Sequence, residues 1–210
     1  MRLTIEKART LYSEADSVHD FDHILRVLRL AEHIGRAESA DLSIVRAAAL
    51  LHDWGRAGAQ AQGADHSKVA ASLARDYLIE EDEDWTQAVT HAIAAHRFRT
   101  APTPRTLEAK VLFDADKLDA IGAIGVARAF AYGGAHGQRL WASQDSVDLE
   151  RWQMEGDDPG EHTPVHEFVV KLSRIKERLF TETGRAIAKD RHRYMAQFYK
   201  RLEAEVLGEK

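Results

Sequence analysis

Apolar residues recur at three- and four-residue intervals through most of this 210-residue chain, and no segment alternates convincingly with period two. A half-wet sheet needs that alternation, so the periodicity predicts an all-α fold. With 44% hydrophobic residues and no low-complexity tract, the chain can bury a full core, and a single domain over residues 1–210 is expected. The stripes predict helices over 3–16 (Leu3, Ala8, Leu11, Tyr12 and Ala15), 24–37 (Val27, Leu30, Ala31 and Ile34), 42–54, 66–78 and 85–96, then one or two over 106–132. Residues 164–207 return to amphipathic helix, with a break expected at Gly184. Two stretches stand apart. Residues 55–65 (GRAGAQAQGAD) are small and Gly-rich and read as a loop, whereas 133–163 carry Gly133, Gly134, Gly137, Gly156, Pro159 and Gly160 without a period and read as a mobile loop or lid.

The stretch from Arg46 to Arg56, RAAALLHDWGR, is the most informative chemically. His52 falls on the apolar face with Val45, Ala48 and Ala49, Asp53 follows at once, and Gly55 is placed to end the helix. An imidazole and a carboxylate there can offer one nitrogen and one oxygen to a cation; a hydrogen-bonded helix end is the plainer alternative. His23 opens the core-facing stripe of the second helix, as a ligand or as a capped core histidine. Asp114, Asp116 and Asp119 lie in an otherwise apolar stretch, where unpaired carboxylates are costly and call for cations or donors. The chain has no cysteine, so any metal must be held by His, Asp or Glu. A formal net charge of −5 and the lack of a basic block argue against dedicated nucleic-acid binding. The N-terminus has no apolar signal core, and no apolar run approaches the roughly 18 residues of a membrane span, so a cytoplasmic protein without a membrane partner is expected.

Taken in order, His23, His52-Asp53 and Asp116 form an H…HD…D pattern with each member on an expected helix. The pattern resembles that of the HD-domain metal-dependent phosphohydrolases. The segments HDFDHILRV, ALLHDWGR, DADKLDAIGAIGVARAFAYGG and TETGRAIAKDRHRYMAQF carry the similarity across nearly the whole chain, towards a small stand-alone bacterial branch that includes a nucleoside triphosphate pyrophosphohydrolase.

The resemblance implies an HD-domain helical fold and a divalent cation held by His23, His52, Asp53 and Asp116. Two imidazoles and two carboxylates suit Mn²⁺ first, with Fe²⁺, Co²⁺, Ni²⁺, Zn²⁺ or Mg²⁺ as alternatives. Four protein ligands on an octahedral ion leave positions for a water and a phosphoryl oxygen. By similarity Asp116 is the ligand in DADK, and Asp114 a structural acid behind it. Lys117 implies neutralisation of phosphate charge, or else an intrahelical ion pair. Asp119 shares a face with Asp116 and could orient a water, a ribose or a histidine; Arg26 either reaches substrate or makes a surface salt bridge. His66 reads as a general acid or phosphate contact, and with His96 as either a phosphate site or a weaker second metal site bridged by Asp53. The implied activity is hydrolysis of a small-molecule phosphate substrate, a nucleotide, most concretely with pyrophosphate release. Asp53, His66, Lys117 and Asp119 are its expected catalytic residues, and Arg26, His96 and Lys117 its substrate contacts. A di-iron oxygenase using His66 and His96, and a non-catalytic nucleotide sensor, are the competing readings. Nothing in the pattern specifies an oligomer.

Overall fold

The computed structural model describes residues 3–12, 21–97, 102–143 and 162–210. Helices are the only regular elements among these residues, as the periodicity requires. α1 (Ile5–Arg9) starts at Thr4, whose hydroxyl accepts from the Lys7 N–H. It is shorter than the stripe over 3–16 suggested, and residues 13–16 lie outside the described residues. α2 (Phe21–Glu38) turns Ile24, Val27, Ala31 and Ile34 fully inward.

α3 (Leu42–Leu51) is capped by Asp41, which accepts from the Ser43 N–H, and is apolar on nearly every side. Such a helix must be central, and α1 and α2 pack against it, as do α5 (His66–Tyr77) and α6 (Glu83–Ala94). The small side chains of Ala47, Ala48 and Ala49, all buried, let those neighbours come close. α3 ends at Leu51 rather than at Trp54. The Trp54 N–H returns to the Leu51 carbonyl, which tightens the chain into a turn, and Gly55 (φ +80) then completes the reversal.

Residues 56–61 are not loop: α4 (Arg56–Ala61) occupies them. Ala57, Ala59 and Ala61 supply helix propensity that outweighs Gly58, and Ala59 is buried. α5 and α6 start on Asp65 and Asp82, each carboxylate accepting a backbone N–H of the first turn. α7 (Leu107–Asp119) follows.

Contacts divide the chain into two compact units, one formed by the chain up to Asp116 with Leu179–Gly184, the other by Lys117–Arg178 with Arg185–Lys210. The second unit contains α8 (Gly122–Ala135), α9 (Pro164–Val170), a 3₁₀ turn over Leu172–Glu177, and most of α10 (Glu182–Val206). Val126, Phe168, Met195 and Tyr199 are buried within it, and the Phe168 and Tyr199 rings stack at 4.4 Å. α8 already occupies residues 133–135, so the long loop starts later than its glycines suggested; residues 144–161, most of the expected lid, lie outside the described residues.

In the first unit, Asp114 is fully buried and accepts from the Phe180 N–H (2.9 Å), the Thr181 N–H (2.7 Å) and the Thr181 hydroxyl (2.6 Å). Gly184 lies inside the first turn of α10 and does not break it. A Cβ there would collide with Asp114 Oδ2, so its role is to make room for that carboxylate. No helix among the described residues is long and apolar enough to cross a membrane.

Candidate metal centre

Five helix ends and turns of the first unit converge on Asp53, which is 4% exposed. His23 comes from the first turn of α2, while His52 caps α3 and Asp53 follows it in the turn. His66 opens α5, and His96 stands just past the end of α6. Asp116 comes from α7.

The two oxygens of Asp53 face different partners. Oδ2 lies 3.7 Å from His23 Nε2 and 3.8 Å from His52 Nε2, and His23 Nε2 is in turn 3.5 Å from Asp116 Oδ1. Oδ1 lies 3.5 Å from His66 Nε2 and 3.7 Å from His96 Nε2. These last distances exceed a hydrogen bond, and Oδ1 is buried without any hydrogen-bond partner. A buried carboxylate oxygen left so is expensive unless a cation takes it. The donor atoms of His23, His52 and Asp53, and separately those of Asp53, His66 and His96, are close enough to share an ion.

The tautomers fit that use. The Nδ1–H of His52 donates to the Ala49 carbonyl at 2.9 Å, and that of His96 to the Ile93 carbonyl at 2.6 Å. A carbonyl only accepts, so each neutral ring carries its proton on Nδ1 and offers the Nε2 lone pair to the centre. Burial presses the His52 imidazole down to about 4, against the opposing charges of Asp53 and Asp116. His66 is likewise lowered to about 4, by burial and then by Arg56, His96 and Arg97, with Asp53 opposing. Both rings are therefore unprotonated and ready to ligate at neutral pH. Burial would raise the Asp53 carboxyl, yet His52, His96 and Arg56 outweigh it and hold the group well below the usual carboxylate range.

The structure thus brings together His23, His52, Asp53, Asp116, His66 and His96. Arg26 lies one turn along α2 from His23 and is half-buried. Lys117 and Asp119 belong to the second unit, where Lys117 is half-buried and Asp119, only 1% exposed, receives Arg128 at 3.3 Å. His91 accepts from the Arg105 N–H instead of joining the other histidines.

Several contributors escaped the sequence reading. Arg56 Nη1 contacts Asp53 Oδ2 at 2.7 Å, a pairing whose i,i+3 spacing was visible in HDWGR. Asp65 and Arg97, each adjacent to a site histidine, pair at 3.0 Å. The Tyr12 hydroxyl donates to the Leu50 carbonyl at 2.8 Å and so tethers the backbone just ahead of His52. In the second unit, His162 is 8% exposed and lies 3.4 Å from Glu167.

A buried carboxylate ringed by imidazole nitrogens, with a second carboxylate beside them, is the donor set of a divalent-metal hydrolase. Comparison with known proteins leads to the same class. Residues 20–121, which span all six side chains, match the HD domain family. The chain is 35% identical to the uncharacterized protein YpgQ of Bacillus subtilis over 209 residues, covering 95% of this chain and 90% of that one. Among solved structures, Bacillus subtilis YpgQ in complex with ADP superposes with a TM-score of 0.71 at 31% identity, covering 97% of this chain and 98% of that one. An HD-superfamily hydrolase from Bacillus thuringiensis gives 0.72 at 31% identity, covering 96% and 95%. The chain belongs to the HD-domain family, and is a metal-dependent phosphohydrolase of the HD superfamily.

Proposed function

We propose that this hydrolase cleaves a phosphoanhydride bond of a nucleotide, releasing pyrophosphate from a nucleoside triphosphate, with Mn²⁺ as the working cation. The observation that carries the metal half of this reading is the convergence of four imidazole nitrogens on the two oxygens of one buried carboxylate. The nucleotide half is supported by YpgQ, which has been solved with ADP. In our assignment His23, His52, Asp53 and Asp116 hold the principal cation. A cation there supplies Lewis acidity for the phosphorus centre and lowers the pKa of water. His52 and His96 keep their geometry through the backbone carbonyls that hold them, and in the metal-free chain Arg56 pairs with Asp53. His66, neutral and 16% exposed, stands on the more open side of Asp53, as a nitrogen donor or a proton acceptor. Lys117 is assigned to the substrate's negative charge, and Asp119 to orientation within its own unit.

The test is a panel of nucleoside and deoxynucleoside triphosphates with Mn²⁺, scored separately for phosphate and for pyrophosphate. Wild type should release pyrophosphate, and His52→Ala and Asp53→Ala should each reduce the rate to background. Release of neither product across the panel defeats the proposal. The side of Asp53 that faces His66 and His96 also suits a second cation. Two irons per chain with substrate-dependent O₂ uptake would favour the oxygenase reading, and full hydrolysis with Mn²⁺ under anaerobic conditions excludes it.

A further inference from the structure

Asp53 carries an asymmetry that the histidines alone do not explain. Oδ1 is without a hydrogen-bond partner, whereas Oδ2 already has a cationic partner of its own, Arg56 Nη1 at 2.7 Å. Oδ2 is also the oxygen that faces His23 and His52, the side assigned to the principal cation. The guanidinium arrives there because Gly55, in the left-handed region at φ +80, folds the chain back by one residue after Trp54. The turn has little room for another residue type, since a Cβ on Gly55 would lie 2.7 Å from Leu73 Cδ1. Asp53 is 4% exposed, but the Arg56 side chain is 29% exposed, so the carboxylate is fixed while its partner has solvent to move into.

We propose that Arg56 is an exchangeable internal counter-ion: it neutralises Asp53 in the metal-free chain, gives way at Oδ2 when a divalent cation enters, and then takes up a phosphate group of the substrate. A dication and a guanidinium beside the same oxygen repel each other, so each weakens the other's hold on it. A displaced guanidinium needs another anion, and its planar fork matches a phosphate as well as a carboxylate. Metal binding and anion binding are thereby coupled through one side chain, with the metal enabling the anion. This inference rests on the metal reading of the site but does not depend on which phosphate bond is cut.

The experiment is titration calorimetry on wild type, Arg56→Gln and Arg56→Lys, with retention of the fold checked by circular dichroism. Mn²⁺ is titrated into metal-free protein, and inorganic phosphate is then titrated with and without saturating Mn²⁺. Arg56→Gln should bind Mn²⁺ about fivefold more tightly, the scale of one lost ion-pair competitor. The same variant should bind phosphate about tenfold more weakly once Mn²⁺ is present, the scale of one charged hydrogen bond. Arg56→Lys should fall between wild type and Arg56→Gln in both titrations. Wild type should bind phosphate measurably only when Mn²⁺ is present. Weaker or unchanged Mn²⁺ binding in Arg56→Gln overturns the proposal, since Arg56 would then merely align Asp53. Unchanged phosphate affinity in Arg56→Gln, or phosphate binding to wild type that ignores Mn²⁺, overturns it equally. If wild type takes up no Mn²⁺, both the metal reading and this inference fall. If Mn²⁺ and phosphate behave as expected while no nucleotide is hydrolysed, only the proposed reaction falls.

Discussion

At the scale of single residues, two buried aspartates of the first unit, Asp53 and Asp114, show opposite solutions to one problem. Asp114 is met by three protein donors from residues 180 and 181 and is complete without an ion, whereas Asp53 keeps one oxygen unmet and is not. That contrast separates a structural acid from a ligand more sharply than their positions in the chain do. It also makes Gly184 sensitive to a single added carbon. We expect Gly184→Ala to destabilise the protein by about 2 to 3 kcal/mol, since the new Cβ collides with the Asp114 carboxylate in a packed site. Asp114→Ala should cost at least as much, roughly 3 kcal/mol, because it strands buried N–H groups. Urea unfolding measures both, and a loss below about 0.5 kcal/mol for either, the range of ordinary surface substitutions, would contradict the packing argument.

At the scale of elements, the site is assembled from helix ends, because an end exposes side chains that a helix body would bury against its neighbours. His66 and His96 illustrate how such ends are held. Asp65 caps α5 through the Ser67 N–H and simultaneously pairs with Arg97, so the residues just before His66 and just after His96 are tied together. Burial would raise the Asp65 carboxyl, but Arg97 and Ser67 bring it down to about 2. Asp65→Ala should therefore cost about 1 kcal/mol of stability through the lost cap. It should also weaken any second equivalent of Mn²⁺ more than the first, read from a two-site calorimetric fit. An equal effect on both equivalents would show that the pair does not act through these two histidines. Helix identity was legible from periodicity in nearly every segment, but helix ends were not. α3 stops three residues early because the turn to Gly55 competes with it, and α4 forms where glycines suggested loop. The first outcome is set by the backbone reversal at Gly55 and the second by the alanines of α4, and apolar periodicity reads neither.

At the scale of the whole molecule, stability should report both the protons and the cation of the site. His52 and His66 ionise near 4 when folded, against 6.5 for an unperturbed imidazole. Between those values the unfolded chain binds protons that the folded chain refuses, so stability is full above about 6.5 and declines as the pH falls towards 4. The depressed Asp53 carboxyl extends the loss further into acid, because its contribution disappears only as the folded group is finally protonated. Urea titrations of metal-free protein from pH 7 to pH 4 should show this decline, and His66→Asn should flatten part of it; a level profile would mean that these rings are not buried as neutral groups. Mn²⁺ at about a hundred times its dissociation constant should add about 2.7 kcal/mol at neutral pH, reversed by a chelator. A midpoint indifferent to Mn²⁺ would speak against binding to the folded chain.

The order His23, His52-Asp53, Asp116 was readable from the residues themselves, because ligand chemistry is a property of side-chain type and helix periodicity decides which face each side chain takes. The absence of cysteine likewise restricted any metal to nitrogen and oxygen donors before a coordinate was known. What only the tertiary structure decided is which oxygen of Asp53 meets which partner. His66 and His96 reach Oδ1 from α5 and from beyond α6, while His23 reaches Oδ2 from α2. Such assignments rest on distances of a few ångströms between segments far apart in the chain. They are set by how the helices pack, a property that no local pattern of residues contains.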